Sequence, residues 1–272
     1  MTVPNPRFHL IIVGDEILSG KRQDKHLSKA IELLAARGLS LEGAEYVGDD
    51  PQRITAVLKR AFEISKEQGD IVFSTGGIGA TPDDQTRQCA ARALGRQLML
   101  HPQAADFIRE RMQDTAREQG VPYEPDRPDN VHRLNMGVFP ADAEIIPNPY
   151  NKIAGFSCGS VHFFPGFPVM AWPMMEWVLD VKYKHLHRAI ARQEKSVIVM
   201  GAMEATLTPL MEQVEADHPG IKVFSLPSVD HPQYGKHIEL GVKGLVSLDG
   251  AYAQLLAGLK TFGAQLGPEL VR

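Results

Sequence analysis

Three pairs of acidic residues in the first third of the chain could hold a metal ion or bind a polyol. The pairs are Asp15-Glu16, Asp49-Asp50 and Asp83-Asp84. Their first members stand 34 residues apart each time (49 − 15 and 83 − 49), which we interpret as equal strand–helix units rather than a sequence repeat. Hard cations such as Mg²⁺ and Mn²⁺ take carboxylates, substrate phosphates and waters as ligands. Without a metal, the same carboxylates would accept hydrogen bonds from hydroxyl groups.

The third acidic pair closes a glycine-rich stretch at residues 74–84. This stretch follows the apolar run Ile71–Phe73, which is typical of a buried strand. Gly76, Gly77 and Gly79 let the backbone turn tightly and approach a ligand without an intervening Cβ. Glycines also serve ordinary strand-to-helix turns, so the motif alone is weak. The acidic pairs after the neighbouring strands favour a functional loop.

Residues 81–84 are predicted to start the next helix. Thr81 is a natural N-cap, Pro82 fits the first helical position, and Asp83 and Asp84 would lie in the first turn. An open helix N-terminus attracts anions. The two carboxylates would nevertheless repel a bare phosphate. We therefore expect a sugar, a pterin, or a diphosphate that arrives with a cation.

The first acidic pair also has a structural alternative. Asp15 and Glu16 follow Gly14 at the end of an apolar run, and they could form a solvated turn that caps a helix. Ser19 lies just behind them, together with three cationic side chains that could contact an anionic ligand group. These cations are Lys21, Arg22 and Lys25.

The second acidic pair divides into two roles. Asp50 precedes Pro51, so it is predicted to be the N-cap of a helix. This assignment leaves Asp49 as the functional candidate of the pair.

The elements that must position these residues alternate regularly. Strand-like apolar runs and helical stripes form a β-α-β-α-β-α order from residue 8 to about residue 95, which predicts a parallel, doubly wound α/β sheet. Such sheets bind ligands at the carboxyl ends of their strands. A polar stretch at 185–195 is the candidate linker, and a β-α-β-β-α pattern follows it. We therefore expect an α/β domain over residues 1–188 and a small α+β domain over residues 195–272.

The composition is that of a soluble globular protein, with 43% hydrophobic and 23% charged residues. A formal net charge of −4 gives no field that attracts nucleic acid. The two cysteines, Cys89 and Cys158, do not form a disulfide framework, and the chain shows neither a signal peptide nor a membrane span. We therefore expect a cytoplasmic protein without nucleic-acid or membrane partners.

Three ordered stretches resemble the signature motifs of the molybdopterin-binding (MoCF-type) domain. They are residues 14–20 (Gly-Asp-Glu-Ile-Leu-Ser-Gly), 47–50 (Val-Gly-Asp-Asp) and 75–86 (Thr-Gly-Gly-Ile-Gly-Ala-Thr-Pro-Asp-Asp-Gln-Thr). The resemblance covers about residues 8–180 and is closest to the amino-terminal half of the competence/damage-inducible protein A (CinA) family. The tail resembles that family's small second domain.

The resemblance implies a three-layer α/β/α fold with a mostly parallel sheet and a pocket at the strand ends. It implies molybdopterin as a ligand, or metal-dependent hydrolysis of ADP-ribose- or FAD-like dinucleotides with a divalent cation (Mg²⁺, Mn²⁺, Co²⁺ or Ni²⁺) and K⁺. We assign catalysis to Asp15, Asp49 and Asp84, and metal binding to Asp83 and Asp84. Ligand contacts are assigned to Gly14, Glu16, Ser19, Gly76, Gly77, Gly79, Thr81, Pro82, Lys152 and Gly166. We also expect a homo-oligomer that acts on a nucleotide or pterin.

Two stretches depart from the family pattern. Residues 151–155 read Asn-Lys-Ile-Ala-Gly where the family has Gly-Thr-Ala-Pro-Gly, and residues 165–171 lack the acid of Pro-Gly-Val-Pro-Ser-Glu-Met. Three functions therefore stay open: a metal-dependent pyrophosphatase, a molybdopterin or nucleotide binder without hydrolysis, and an inactive scaffold. The acidic strand ends favour the first, and the altered loops are the only support for the third.

Overall fold

Separate hydrophobic cores divide the chain into two units, Met1–His187 and Arg188–Arg272. The computed structural model describes residues 6–188 and 193–271. The candidate linker at 185–195 therefore falls partly outside the described residues. In the described ranges, no helix is long and apolar enough to cross a membrane.

The first unit alternates strands and helices, as its apolar runs predict. In chain order its elements are β1 (Phe8–Val13), α1 (Asp15–Leu18), α2 (His26–Ala35), β2 (Leu41–Val47), α3 (Pro51–Gln68), β3 (Ile71–Thr75), α4 (Thr86–Leu94), β4 (Leu98–Leu100), α5 (Pro102–Gln119), α6 (Pro128–Arg133), β5 (Val138–Pro140), β6 (Glu144–Ile146), β7 (Gly155–Cys158), β8 (Val161–Phe164) and α7 (Pro168–Trp177). A π-helical turn, Val178–Lys182, continues α7.

Six strands of the described chain form the main sheet, in the order β2-β1-β3-β8-β7-β6. Strands β2, β1, β3 and β8 are parallel, whereas β7 and β6 add antiparallel pairs at one side. The sheet is therefore mostly parallel, as predicted. Because the four parallel strands run in the same direction, the loops that follow them leave from one edge.

Helices cover both faces of this sheet, which makes three layers. Alternate residues of one strand point to opposite faces, so Ile11 packs with α3, α4 and α5, while Leu10 packs with α2 and α7. Cys89 on α4 is fully buried in this core. Burial of a side chain of the size of Leu10 contributes about 1.5–3 kcal/mol. The cores therefore hold the loop-bearing strands firmly in register.

The start of α3 follows the sequence prediction closely. Asp50 is its N-cap, and the carboxylate accepts hydrogen bonds from the backbone N–H groups of Gln52 (2.9 Å) and Arg53 (2.8 Å). Pro51 occupies the first turn, and Gly69 ends the helix in a left-handed conformation. This cap fixes the direction in which the chain leaves β2.

The second unit is a small α+β fold with its own core. Its elements are β9 (Gln193–Met200), α8 (Glu204–Asp217), β10 (Ile221–His231), β11 (Gly235–Gly244), α9 (Asp249–Thr261) and β12 (Gln265–Val271). The strands form an antiparallel sheet in the order β10-β11-β9-β12. The predicted β-α-β-β-α order is confirmed, and β12 is an additional strand that the sequence analysis did not identify.

Candidate ligand site

The loops that follow β1, β2, β3 and β8 are tied to one another at the carboxyl edge of the sheet. The N–H of Gly14 donates to the carbonyl of Val47 (3.0 Å), which joins the first two loops. The N–H of Gly76 donates to the carbonyl of Phe164 (3.0 Å), which joins the third loop to the fourth. Each predicted acidic pair therefore begins at a fixed point on this edge.

Asp15 and Asp49 hold each other's backbone. The N–H of Asp15 donates to Oδ2 of Asp49 (2.9 Å), and the N–H of Asp49 donates to Oδ1 of Asp15 (3.2 Å). Gly48 is required between them, because a Cβ at that position would collide with the Asp15 carboxylate. The structure thus brings together two predicted site residues that are 34 positions apart.

Carboxylates of the two neighbouring loops raise the pKa of Asp49. Burial raises the pKa of Asp49 above its usual value, and the charges of Asp15, Glu16 and Asp83 raise it further, against the lowering effect of the hydrogen bond from Asp15. Glu16 turns back toward Gly14, where its Oε2 would lie 2.7 Å from an added Cβ. The crowding of negative charge predicted for this edge is present around Asp49.

Two left-handed glycines open the loop after β3. Gly76 has φ 95° and Gly77 has φ 66°, conformations that side chains other than glycine rarely adopt. A Cβ at Gly76 would collide with the carbonyl of Val13, and one at Gly77 would collide with the hydroxyl of Thr86. That hydroxyl donates to the carbonyl of Gly76 (3.1 Å), so the loop folds back on the start of α4.

Four consecutive backbone N–H groups of this loop have no acceptor in the part of the chain that the structure describes. They belong to Gly77, Ile78, Gly79 and Ala80. Buried backbone donors are almost always paired, and Ile78 is only 6% exposed. Successive free N–H groups next to left-handed residues form an anion-binding concavity. We name residues 76–80 the glycine loop.

The predicted helix start at Thr81 is wrong. Helix α4 begins at Thr86 with Gln85 as its N-cap. Residues 81–84 instead form a turn, because one carboxylate oxygen of Asp84 accepts from both the N–H (2.9 Å) and the hydroxyl (2.5 Å) of Thr81. The side chain of Gln85 donates to the carbonyl of Pro82 (2.7 Å) and closes the turn.

Asp84 supports the glycine loop directly. Its Oδ2 would lie 2.5 Å from a Cβ at Gly79, so only glycine leaves room for the carboxylate there. Asp83, by contrast, is exposed. The two neighbouring carboxylates, which were assigned together to a metal, therefore face different surroundings.

Arg87 is a site residue that the sequence analysis missed. It is 4% exposed, and its guanidinium donates to the carbonyls of Gly79 (2.6 Å) and Asn135. Burial lowers the pKa of Arg87 to about 10, although the charge of Asp84 opposes this shift. The available sequence signal was an arginine on the buried side of α4, three positions before Ala90.

His26 and Gly166 fix the fourth loop against the glycine loop. A Cβ at Gly166 would lie 3.5 Å from the Cα of Gly76. Nε2 of His26 lies 3.0 Å from the carbonyl of Gly166 and is its donor, because a carbonyl can only accept. Burial lowers the pKa of His26. Gly166 therefore lies against the glycine loop, its assigned ligand contact stays a prediction, and His26 was missed.

Ser19 and Lys152 are less closely connected to this edge. Ser19 is exposed at the end of α1. Lys152 pairs with Asp114 (2.8 Å) and Glu110 (3.3 Å) on α5. Within the described ranges, neither side chain contacts the glycine loop, so their assigned ligand roles stay predictions.

A preformed metal site is not present among the described residues. No group of three or more His, Cys, Asp or Glu side chains there could hold a metal ion. The carboxylates of Asp15 and Asp49 accept backbone N–H groups, and that of Asp84 is occupied by Thr81. These residues do not fit a cation held by protein ligands alone.

The chain also matches a known protein family. Residues 9–185 match the model of the probable molybdopterin binding domain, which is well over half of the chain. The chain belongs to this family. The predicted family and the predicted fold class are therefore confirmed.

The relatives of this molybdopterin-binding-domain protein include CinA-like proteins. A CinA-like protein of Geobacter metallireducens is 31% identical over 219 residues, which are 79% of this chain and 50% of the relative. A protein of Aeropyrum pernix is 30% identical over 227 residues, 82% of this chain and 80% of its own. The chain therefore spans about half the length of the CinA-like relative.

A solved CinA structure has a similar fold. The crystal structure of the protein CinA with unknown function from Thermoplasma acidophilum matches with a TM-score of 0.53 and 25% identity. The match covers 64% of this chain and 97% of the solved one.

Proposed function

We propose that this chain binds a small molecule of the pterin or nucleotide class, and that the glycine loop holds a phosphate or diphosphate of that ligand. The observation that carries this proposal is the row of four unpaired N–H groups from Gly77 to Ala80. An anion would satisfy these donors, of which the one at Ile78 belongs to a buried residue and the other three to half-buried ones. Family membership supports the same ligand class.

The neighbouring carboxylates restrict the rest of the ligand. The carboxylates of Asp15, Glu16 and Asp49 accept hydrogen bonds, so they suit the hydroxyl groups of a ribose. Their negative charge weakens binding of a ligand that carries nothing but phosphate, relative to one that also carries hydrogen-bond donors. The combination therefore favours a molecule with one anionic part and several hydrogen-bond donors, such as ADP-ribose or a pterin diphosphate.

Calorimetric titration of the full chain tests this proposal. ADP-ribose and 6-hydroxymethyl-7,8-dihydropterin diphosphate are titrated in the presence of a chelator and, separately, with Mg²⁺. Gly77→Ala should abolish binding, because the new Cβ displaces Thr86 and reshapes the loop. Gly159→Ala is the matched control, since Gly159 has nearly the same φ (62°) but has no atom near the added Cβ. Equal affinity in the two variants would overturn the proposal.

Hydrolysis of a dinucleotide diphosphate is the second candidate function. The observation in its favour is Asp49, whose pKa is raised by burial and by the charges around it. Carboxyl groups with raised pKa values recur as acids and bases in active sites. The described residues offer no preformed metal site, so we assign no step of the reaction to a cation.

Product analysis separates hydrolysis from binding. Purified protein is incubated with ADP-ribose or FAD across Mg²⁺, Mn²⁺, Co²⁺ and Ni²⁺, each with and without K⁺. Hydrolysis predicts release of AMP that is lost in Asp49→Asn. If the wild type binds ADP-ribose but releases no AMP under any of these conditions, the chain is a binding protein.

A further inference from the structure

A cavity of about 240 Å³ lies beside the glycine loop. Its lining includes none of Asp15, Glu16, Asp49, Asp83 and Asp84, which we name the acidic edge. Ala80, Thr81 and Pro82 form the wall next to the loop, and the other walls come from α4, β4, β5 and the segment around α6. Sites for drug-sized ligands begin at roughly 300 Å³. The cavity therefore suits one fragment of a ligand rather than a whole dinucleotide.

The lining combines apolar contact with hydrogen-bonding groups. Leu98 and Val138 supply apolar surface, while Gln88, His132 and Asn135 supply polar groups. The ring nitrogens of His132 already lie within hydrogen-bond distance of the Ala80 carbonyl (3.2 Å) and of Nδ2 of Asn135 (3.4 Å), whereas Oε1 of Gln88 has no partner among the described residues. An aliphatic chain would leave this acceptor unpaired, and a sugar would leave the apolar surface unused. A flat nitrogen heterocycle satisfies both, because it has apolar faces and an edge of donors and acceptors.

Two polar atoms of the cavity wall are buried without hydrogen-bond partners. They are Nε of Arg87, a donor, and Oε1 of Gln88, an acceptor. Only 4% of Arg87 is exposed to solvent. In the described ranges its guanidinium forms no ion pair with a carboxylate. A buried guanidinium without a carboxylate partner is costly to the fold. Unpaired buried groups of this kind call for an explanation.

We propose that this cavity is the ring subsite of the ligand whose phosphate occupies the glycine loop, and that it takes a purine or pterin base. The inference rests on the proposed function. The two sites share the backbone of Ala80, so a ligand can reach both without crossing the acidic edge. Arg87 links them physically, since its guanidinium holds the carbonyl of Gly79 in the loop while its side chain lines the cavity.

The proposal predicts that substitutions in the cavity weaken binding of the ligand's ring without changing binding of its phosphate. Val138→Phe should fill the cavity, and Gln88→Leu should remove its unpaired acceptor. Each variant should weaken binding of a ring-bearing ligand by roughly tenfold or more, the value of one lost hydrogen bond together with lost ring contact. Each should leave binding of inorganic pyrophosphate unchanged.

Titration calorimetry on the full chain tests this with three probes: inorganic pyrophosphate, ADP-ribose and 6-hydroxymethyl-7,8-dihydropterin diphosphate. Val131→Phe is the matched control, because Val131 is 51% exposed on α6 and does not line the cavity. The ring-bearing ligand that loses more affinity identifies the base. If Val138→Phe lowers the melting temperature strongly, Gln88→Leu carries the test.

Failure of the subsite and failure of the proposed function give different results. Wild-type protein that binds pyrophosphate, with ring-bearing ligands bound equally well by wild type and both cavity variants, overturns the subsite alone. Wild-type protein that binds none of the three probes overturns both proposals. Selective loss of the ring-bearing ligands in Val138→Phe and Gln88→Leu supports the subsite.

Discussion

At the scale of single residues, the site combines unpaired donors with crowded acceptors. The glycine loop offers four free N–H groups, while carboxylates of three other loop positions surround Asp49. The reciprocal hydrogen bonds of Asp15 and Asp49 show that these two acids already perform a structural task. A role in binding must therefore be separated from a role in loop stability by experiment.

Asp49→Asn should stabilise the ligand-free protein near neutral pH. The raised pKa means that Asp49 favours folding fully below its ordinary value of 3.8, and that this contribution is lost as pH rises through the folded pKa. At pH 7 the ionised group is therefore a cost, which asparagine removes while its amide oxygen still accepts from Asp15. After screening we expect about 0.5 kcal/mol, or a melting temperature about 1–2 °C higher.

Melting curves at pH 7 and pH 4.5 check this expectation. The gain should shrink at the lower pH, where wild-type Asp49 is more fully protonated. Asp126→Asn, in the exposed loop before α6, serves as the control and should change little. A lower melting temperature for Asp49→Asn at pH 7 would mean that its hydrogen bonds outweigh the crowding.

Residue contacts that span long sequence separations were the part of the site that could not be predicted. The types of Asp15, Asp49 and the loop glycines, and their positions after apolar runs, placed them correctly. His26 contacts Gly166 across 140 positions, and no local pattern indicates that pair. Arg87 was missed because a cation on the buried face of a helix departs from ordinary amphipathic patterning.

At the scale of elements, caps and turns explain which predicted boundaries were right. Asp50 and Pro51 start α3 as predicted, because the Asp50 carboxylate accepts two backbone N–H groups of the first turn. The same logic applied to Thr81 was wrong, since the Asp84 side chain captures both donors of Thr81 and delays α4 until Thr86. Both sequences look like helix starts, and only the tertiary contacts of the loop distinguish them.

An ion pair joins the end of α2 to the π-helical turn that continues α7. Arg37 donates to both carboxylate oxygens of Asp180, at 2.6 and 2.7 Å. This bond lowers the pKa of Asp180. Its stabilisation is therefore present above the ordinary value of 3.8 and is lost as pH falls through the folded pKa. Asp180→Asn should cost about 1 kcal/mol at pH 7, because Arg37 is mostly buried and the contact is bidentate.

Thermal unfolding measures this cost as a decrease of about 2–4 °C. The decrease should fade as the pH approaches 3. Asp106→Asn is the control, because its pair with Arg109 is exposed on both sides and should contribute little. Equal losses for the two variants would contradict the special role of the bidentate contact.

At the scale of the whole molecule, the chain folds into two units, each with its own hydrophobic core residues. The sequence predicted an α/β unit followed by a small α+β unit, because alternating strand and helix patterns change after about residue 195. The last strand, β12, was missed because Gly267 and Pro268 interrupt its apolar pattern. The candidate site lies entirely within the first unit.

A fragment of residues 1–188 should therefore fold alone and bind the same ligands. All residues of the glycine loop, the acidic edge and the neighbouring cavity belong to this unit. We expect a cooperative melting transition and a Kd for ADP-ribose within about twofold of the full chain, since the candidate site residues belong to the first unit. Calorimetry on both proteins, with light scattering to determine whether either forms the expected homo-oligomer, tests this. A folded fragment that binds nothing would assign part of the site to the second unit.

The most direct test of the account is the response of the glycine-loop amides to an anion. In a ¹H–¹⁵N correlation spectrum of the full chain, the four amides from Gly77 to Ala80 are free to donate to a ligand. Titration with pyrophosphate should shift the proton resonances of these amides downfield with one common Kd, while the amides of Gly159 and Gly263 stay in place. Binding that leaves Gly77 to Ala80 unchanged, or that shifts other amides instead, would contradict the central claim.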